Sequence, residues 1–304
     1  MQNKKSEKEE KSAWSKTRTV LHKVLMIFCA IVFVISVSYV VISLVGYKKG
    51  GDLYGDIAND FYATEDRQTD ALEETAPPTS DTSESEETES KVDTSDSESE
   101  KVEETTAVNS EFEQVKASLD GLKEKYPDLY GWIKVDNTAI DYPIVQYTDN
   151  DHYLNRAPNG KYLPAGSIFV DYRCSKKLLE NYNTVIYGHR MSNGSMFGGL
   201  LNFNDEQFFK ENKYITLSTP DGIYTYLIFA FYQTDMYYRY IQTDFKTPDH
   251  FLSFAKEMQN NSMYYREGVE FDEESKILTL STCKGGFNNK LRYTVQAVLV
   301  DIVK

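Results

Sequence analysis

Three hydrophobic regimes follow one another along the chain. From Val24 to Val45 the sequence VLMIFCAIVFVISVSYVVISLV runs for 22 residues without a charge. As a helix it spans about 33 Å, enough to cross the hydrocarbon core of a bilayer. No small-residue cleavage site follows, so the stretch reads as a retained anchor rather than a signal peptide. From Thr64 to Ser110 there is no apolar period, and the segment lacks the apolar surface to offset the entropy of ordering. At Ser110 a helical spacing begins. Ser110 and Glu113 form a capping box, and Phe112, Val115, Leu119, Leu122 and Tyr126 recur on one face until Pro127.

After Pro127 the period shortens to two. Eight segments alternate as strands do: GWIKV, IDYPIVQY, SIFVDYR, NTVIYGH, YITLST, IYTYLIFAFYQT, KILTLSTC and LRYTVQAVLVDIV. Asp221-Gly222 reads as the hairpin turn between the fifth and sixth. A helix interrupts the strands at about Thr247–Asn260, with Thr247 as N-cap, Pro248 as first residue, and Phe251, Phe254, Ala255 and Met258 on one face. Eight short strands with a few helices predict a mostly β fold, a single closed barrel or a sandwich.

Charge sharpens the domain map. The tract from Thr64 to Ser110 carries 16 acidic and three basic residues, a net −13 of the chain's −14, so it is expected to be a disordered, self-repelling tether. Residues 111–304 are left at −4, which gives no electrostatic footprint for nucleic acid. Residues 1–23 hold seven Lys/Arg, whereas the far side of the apolar stretch offers only Lys48 and Lys49 before the acids begin. That asymmetry predicts a cytoplasmic N-terminus and an exterior domain. The expected organisation is a cytoplasmic 1–23, an anchor at 24–45, a tether at 46–110 and a catalytic domain at 111–304.

Candidate chemistry lies in the last two strands. In Lys276–Cys283, Leu278 and Leu280 share one face while Thr279, Ser281 and Cys283 share the other. Polar-to-polar antiparallel pairing with Leu291–Val300 sets Ser281 opposite Thr294, Thr279 opposite Gln296, Leu280 opposite Val295 and Leu278 opposite Ala297. The same register brings Cys283 opposite Arg292, and a neighbouring guanidinium favours the nucleophilic thiolate. Attack on an amide also needs a proton donor for the leaving amine. Of the four histidines, His22 lies on the cytoplasmic side, His152 in a polar turn and His250 in a helix's first turn. His189 ends an apolar strand beside a Gly/Ser/Asn loop, where function tends to sit. Of the three cysteines, Cys29 is in the anchor, so Cys174 and Cys283 remain as a possible exterior disulfide.

His189, Cys283 and Arg292, in that order on a tethered β domain, resemble the sortases, and TLSTC matches that family's Thr-Leu-x-Thr-Cys signature. The N-terminal helices, the helix inserted between the sixth and seventh strands, and the segment YLNRAPNGKYLPAGSIFVDYR are similar to class B. The resemblance implies a closed eight-stranded sortase-like β-barrel with N-terminal helices, acting as a cysteine transpeptidase of Gram-positive surfaces. It implies that Cys283 attacks a Thr–Gly or Thr–Asn bond of a sorting motif to form a thioacyl enzyme. His189 then protonates the leaving amine and deprotonates the incoming one, while Arg292 stabilises the oxyanion. By the same likeness Asn155, Tyr187 and Ser281 line the sorting-signal pocket. The implied partners are surface proteins or pilins carrying the motif, with a wall-precursor amine or a pilin lysine as acceptor. No metal or other cofactor is required. Lys284-Gly285-Gly286 departs from the acidic or bulkier residue that many class B members carry after the nucleophile.

Two other readings compete. In L,D-transpeptidases an Arg follows the nucleophile by two residues after a Ser-His-Gly motif; here the gap is nine and no such histidine precedes Cys283. Papain-like enzymes place Cys before His, the reverse of this order. A non-catalytic tethered binding module would pair Cys174 with Cys283.

Overall fold

The computed structural model describes residues 2–73, 96–282 and 290–304. Cys283 and the Lys284-Gly285-Gly286 stretch lie outside the described residues, as does the middle of the acidic tract. The chain divides into two units, Met1–Gly51 and Asp52–Lys304. The first is helical, part of α1 (Gln2–Glu73). Its side chains from residue 21 to 42 are exposed throughout, as expected of a helix without a protein partner along that face. Within Leu21–Ala63 the helix is long and apolar enough, by length and composition, to cross a membrane.

The second unit opens with the end of α1, earlier than expected. Tyr54, Ile57 and Phe61, spaced three and four apart on one helix face, are buried in the main core. Phe61 stacks on Trp132 at 4.2 Å between centroids, and its carbonyl accepts from the buried Ser118 hydroxyl at 2.8 Å. The domain edge therefore falls at Asp52 rather than 111, because this face supplies apolar surface that the barrel would otherwise expose. The expected tether is also helical at both flanks, since α1 reaches Glu73 and α2 spans Asp96–Lys125. Ser110 thus lies inside α2 and does not cap it. The face predicted for α2 holds: Phe112, Val115, Leu119 and Leu122 are buried.

The eight strands are β1 (Leu129–Val135), β2 (Ile140–Gln146), β3 (Ile168–Val170), β4 (Asn183–Gly188), β5 (Tyr214–Thr219), β6 (Gly222–Asp235), β7 (Ile277–Thr282) and β8 (Leu291–Val303). They close into a barrel in the order β1-β2-β3-β4-β7-β8-β6-β5. The β2–β3 and β4–β7 pairs are parallel and the others antiparallel. A short α3 (Glu206–Glu211) precedes β5. Between β6 and β7 lies α4 (Pro248–Asn260), capped by Thr247, whose side chain accepts from the His250 amide at 3.2 Å.

The β7–β8 register is the one polar matching requires: Leu278↔Ala297, Thr279↔Gln296, Leu280↔Val295 and Ser281↔Thr294. Leu278, Leu280 and Ala297 fill the barrel core. The opposite face is not solvated, because α4 and the segment before it lie over it. Phe251, Phe254, Ala255 and Met258 of α4 pack there with Phe229, Tyr232, Tyr240 and Val298. Thr279, Ser281, Thr294 and Gln296 are consequently fully buried. Two of them join a polar layer: Thr279 donates to Asn183 Oδ1 at 2.7 Å, Gln296 to Thr279 at 2.9 Å, and Tyr232 to Gln296 at 2.9 Å. Without these partners each group would carry a desolvation penalty of roughly 1–3 kcal/mol.

Candidate active site

Parallel pairing brings the ends of β4 and β7 to one rim of the barrel. Tyr187 pairs with Ser281 and Gly188 with Thr282, so both strands stop in step. β8 starts at the same rim, with Ser281 opposite Thr294. His189 is the first residue beyond β4. Thr282 is the last described residue before Cys283; it is buried, and its Oγ1 accepts from the Tyr293 amide at 2.9 Å. Gly188 is required at the turn. A Cβ there would stand 2.4 Å from Ile168 Cδ1 and 2.7 Å from the Phe197 ring.

His189 is half-buried, with Nε2 2.6 Å from the Leu154 carbonyl. A carbonyl only accepts, so Nε2 carries a proton and donates it there. The His189 carbonyl in turn accepts from the Phe197 amide at 2.9 Å. Leu154 ends a single 3-10 turn, His152–Leu154, in the β2–β3 connection. The imidazole is therefore held by a distant segment, through a backbone atom that a search for side chains would pass over.

Arg292 lies near the start of β8, opposite Thr234 of β6, and shares a face with Thr294. It is 9 % exposed and its Nη1 donates to the Leu291 carbonyl at 3.0 Å. Arg190 is exposed and sits 5.7 Å over the ring of Tyr293, the neighbour of Arg292 on β8. Adjacent strand residues face opposite ways, so Arg190 and Arg292 occupy opposite sides of β8.

The three expected pocket residues fare differently. Asn155 directly follows Leu154 and is exposed, its carbonyl accepting from the Leu163 amide at 3.0 Å. Tyr187 is half-buried and donates to Asp171 Oδ2 at 2.9 Å. Ser281 is fully buried, with Oγ 2.8 Å from the Tyr240 hydroxyl. Tyr240 is buried as well, so neither side chain presents surface to a ligand. Nothing in the run MYYRYIQT, four of whose eight residues are tyrosine or methionine without a period, singles out Tyr240.

Behind Tyr187 lies a buried charge that the sequence does not announce. Asp171 is fully buried and takes Arg173 in a fork, Nε to Oδ1 at 2.8 Å and Nη2 to Oδ2 at 2.6 Å, with Asn150 Nδ2 at 3.1 Å. Burial alone would raise the Asp171 carboxyl, but the bonds from Arg173 and Tyr187 together outweigh it and hold it below the usual carboxylate range. Arg173 Nη2 also reaches the Ile241 carbonyl at 3.1 Å, tying the β3–β4 turn to the segment that carries Tyr240. Burial pushes the Tyr187 phenol far up, with the Asp171 carboxylate adding to it.

Cys174 is a free, buried thiol whose Sγ lies 3.7 Å from the Asn183 carbonyl; Cys283, its expected disulfide partner in a binding module, lies outside the described residues. Burial pushes this thiol up to about 11, the inert end of the range.

Comparison with known proteins agrees with this architecture. A family model described as the Sortase domain matches residues 133–300. The sortase B of Listeria monocytogenes is 38 % identical over 181 residues, 59 % of this chain and 71 % of that protein. A crystal structure of Clostridium perfringens sortase B, 38 % identical, superposes with a TM-score of 0.56 over 60 % of this chain and 99 % of its own. A Staphylococcus aureus sortase B solved as a substrate complex, 29 % identical, gives 0.59 over 66 % of this chain and 94 % of its own.

Proposed function

The chain belongs to the sortase family, class B, and is a cysteine transpeptidase; from that premise we propose the following layout of its chemistry. Cys283 is the nucleophile. Its thiolate attacks the carbonyl carbon of a Thr–Gly or Thr–Asn bond in a sorting motif, and the C–N bond breaks to leave a thioester. His189 gives a proton to the departing amine nitrogen. An incoming amine then attacks the thioester, His189 takes its proton, and the thiolate leaves. Arg292 faces the oxygen on which negative charge develops at each step. Because Nε2 of His189 is committed to the Leu154 carbonyl, the nitrogen that exchanges protons is Nδ1.

The observation that carries this layout is the β4–β7 register. Gly188 pairs with Thr282, so β4 and β7 end in step at one rim, each at the residue that precedes a proposed catalytic residue in the sequence. The β8 register supports Arg292 as the third member, since Arg292 shares a face of β8 with Thr294, the partner of Ser281.

The donor is a surface protein or pilin bearing the motif, and the acceptor is an amine of the wall or a pilin lysine. The substrate complex of the Staphylococcus aureus relative supports binding of a sorting motif, and the proposed groove lies at this rim. Exposed Asn155 and half-buried Tyr187 line it, while Ser281 and its partner Tyr240 lie buried and support it from within. The charge-free helix and its basic N-terminal flank support a cytoplasmic N-terminus with the catalytic unit outside.

Quenched motif peptides containing Thr–Gly or Thr–Asn bonds, presented with an amine acceptor, test this. The parent should cleave and ligate one of them and yield a thioacyl adduct on Cys283 by mass spectrometry. Cys283→Ala should do neither, and Cys174→Ala should do both. An active Cys283→Ala, or an adduct on Cys174, overturns the assignment.

A further inference from the structure

His189 is held along two lines of contact, and both begin at one tyrosine of α1. Tyr54 is 7 % exposed. Its hydroxyl donates to the Gly166 carbonyl at 2.6 Å, with Ser167 Oγ at 3.4 Å. Gly166 sits at φ +58°, and a Cβ there would stand 2.4 Å from the Leu154 carbonyl oxygen and 2.6 Å from that of Tyr153. The Gly166 backbone is thus pressed against the two carbonyls of the turn. The Ser167 amide donates to one, Tyr153, at 3.0 Å. The other, Leu154, is the acceptor for His189 Nε2 at 2.6 Å.

The second line runs through the ring. Tyr54 meets Tyr142 edge to face at 5.3 Å between centroids. The Tyr142 hydroxyl accepts from the Met196 amide at 3.1 Å. Met196 holds φ +54°, a conformation that a side chain with a Cβ keeps only when its surroundings enforce it. The next amide, Phe197, donates to the His189 carbonyl at 2.9 Å. One line ends on the imidazole and the other on the backbone of the same residue.

We propose that Tyr54 is a positioning residue for His189, so that the end of α1 sets the orientation of the proton-transfer group from outside the barrel. This rests on the reading of His189 given above. A phenylalanine would fill the same apolar space. The hydroxyl's burial is offset only by what it bonds, and what it bonds is Gly166, whose backbone packs against the turn that fixes the imidazole.

Tyr54→Phe in the full-length protein, held in detergent micelles, separates positioning from packing, because it keeps the ring and removes only the hydroxyl. The substrate is a quenched peptide with a Thr–Gly or Thr–Asn bond, whichever the parent cuts faster. With Tyr54→Phe, kcat should fall roughly tenfold, below the ~10²-fold that 1 Å of misplacement costs. KM should stay within about twofold, since on this proposal the groove that binds the motif is untouched. The ring ¹⁵N resonances of His189 should move from a single Nε2–H tautomer towards a mixture. Unchanged kcat and unmoved resonances overturn the proposal. So does a loss of kcat that merely tracks the folded fraction and disappears on cooling. Should Tyr54→Phe fold poorly, Tyr142→Phe cuts only the line to Met196 and is read by the same measurements. A dead His189→Ala beside a parent-like Tyr54→Phe removes the positioning role alone. An active His189→Ala removes the reading of His189 and this proposal with it.

Discussion

Arg190 and Arg292 flank Tyr293 from opposite sides of β8, and among the described residues they are the two arginines next to the rim where β4 and β7 end. Arg190 is exposed and engages the Tyr293 ring, a contact on the order of 0.5–1 kcal/mol. Arg292 is 9 % exposed and shares its face with Thr294 and, through the register, with the polar side of β7. Losing one oxyanion donor typically costs about 10²–10³ in turnover. Arg292→Ala should therefore lose most of its turnover on the motif peptide, and Arg292→Lys, which keeps the charge but loses the planar fork, should be severely impaired too. Arg190→Ala should lose little. The reverse ranking among variants with parent-like circular dichroism would refute the layout. At this scale the sequence revealed what side-chain parity can reveal. Leu278 and Leu280 claim one face of β7, which puts Thr279 and Ser281 on the other, and the register follows. Parity says nothing about backbone atoms, so the Leu154 carbonyl on His189 was invisible. It is equally silent on Asp171, whose fixed geometry comes from Arg173 and Asn150 in three dimensions.

Elements meet at Asp171 in a way that makes stability depend on pH. The Asp171–Arg173 fork joins the β3–β4 turn to the Ile241 carbonyl in the segment before α4, while Tyr187 bonds the same carboxylate from β4. The carboxyl is held below its ordinary value of about 4. A depressed carboxylate contributes stability that is complete above its unfolded pKa and is lost as pH falls through the folded one. Arg173 remains 38 % exposed and can rehydrate, so Asp171→Asn should destabilise by about 2 kcal/mol at pH 7 rather than the larger loss of a fully buried pair. In thermal unfolding the gap between parent and variant should be widest near neutrality and close below about pH 4. A gap of constant width from pH 7 to 3 would mean that Asp171 acts by packing alone. The inserted helix α4 was legible because Thr247-Pro248 opens it and four apolar residues mark its face. What it covers was not legible. The polar side of β7 reads as solvent-facing until the tyrosine-rich segment before α4 is seen lying over it.

The extent of the folded unit is where the sequence reading and the molecule part. Composition drew the edge at 111 because the acidic tract dominates everything between the apolar helix and Phe112. The buried face of Tyr54, Ile57 and Phe61 spans barely two turns, and its partner Trp132 lies 71 residues from Phe61. A short periodic run beside a long charged one gives little signal, and a long-range contact gives none. The consequence is measurable. Removing residues 1–110 strips three buried side chains from the core, at roughly 1.5–3 kcal/mol each. It also removes the Tyr62 hydroxyl from Asp141 at 2.9 Å, the residue that accepts from Trp132 Nε1. The sum is comparable to the 5–15 kcal/mol that holds a typical domain together. Residues 52–304 should therefore give a cooperative melt and cleave the motif peptide, whereas 111–304 should unfold at a much lower temperature or fail to fold, and lose turnover with it. Supplying a synthetic 52–63 peptide in trans at high concentration should restore part of the melting temperature, because the face it offers is continuous. A 111–304 fragment as stable as 52–304 would show that this helix merely rests on the barrel.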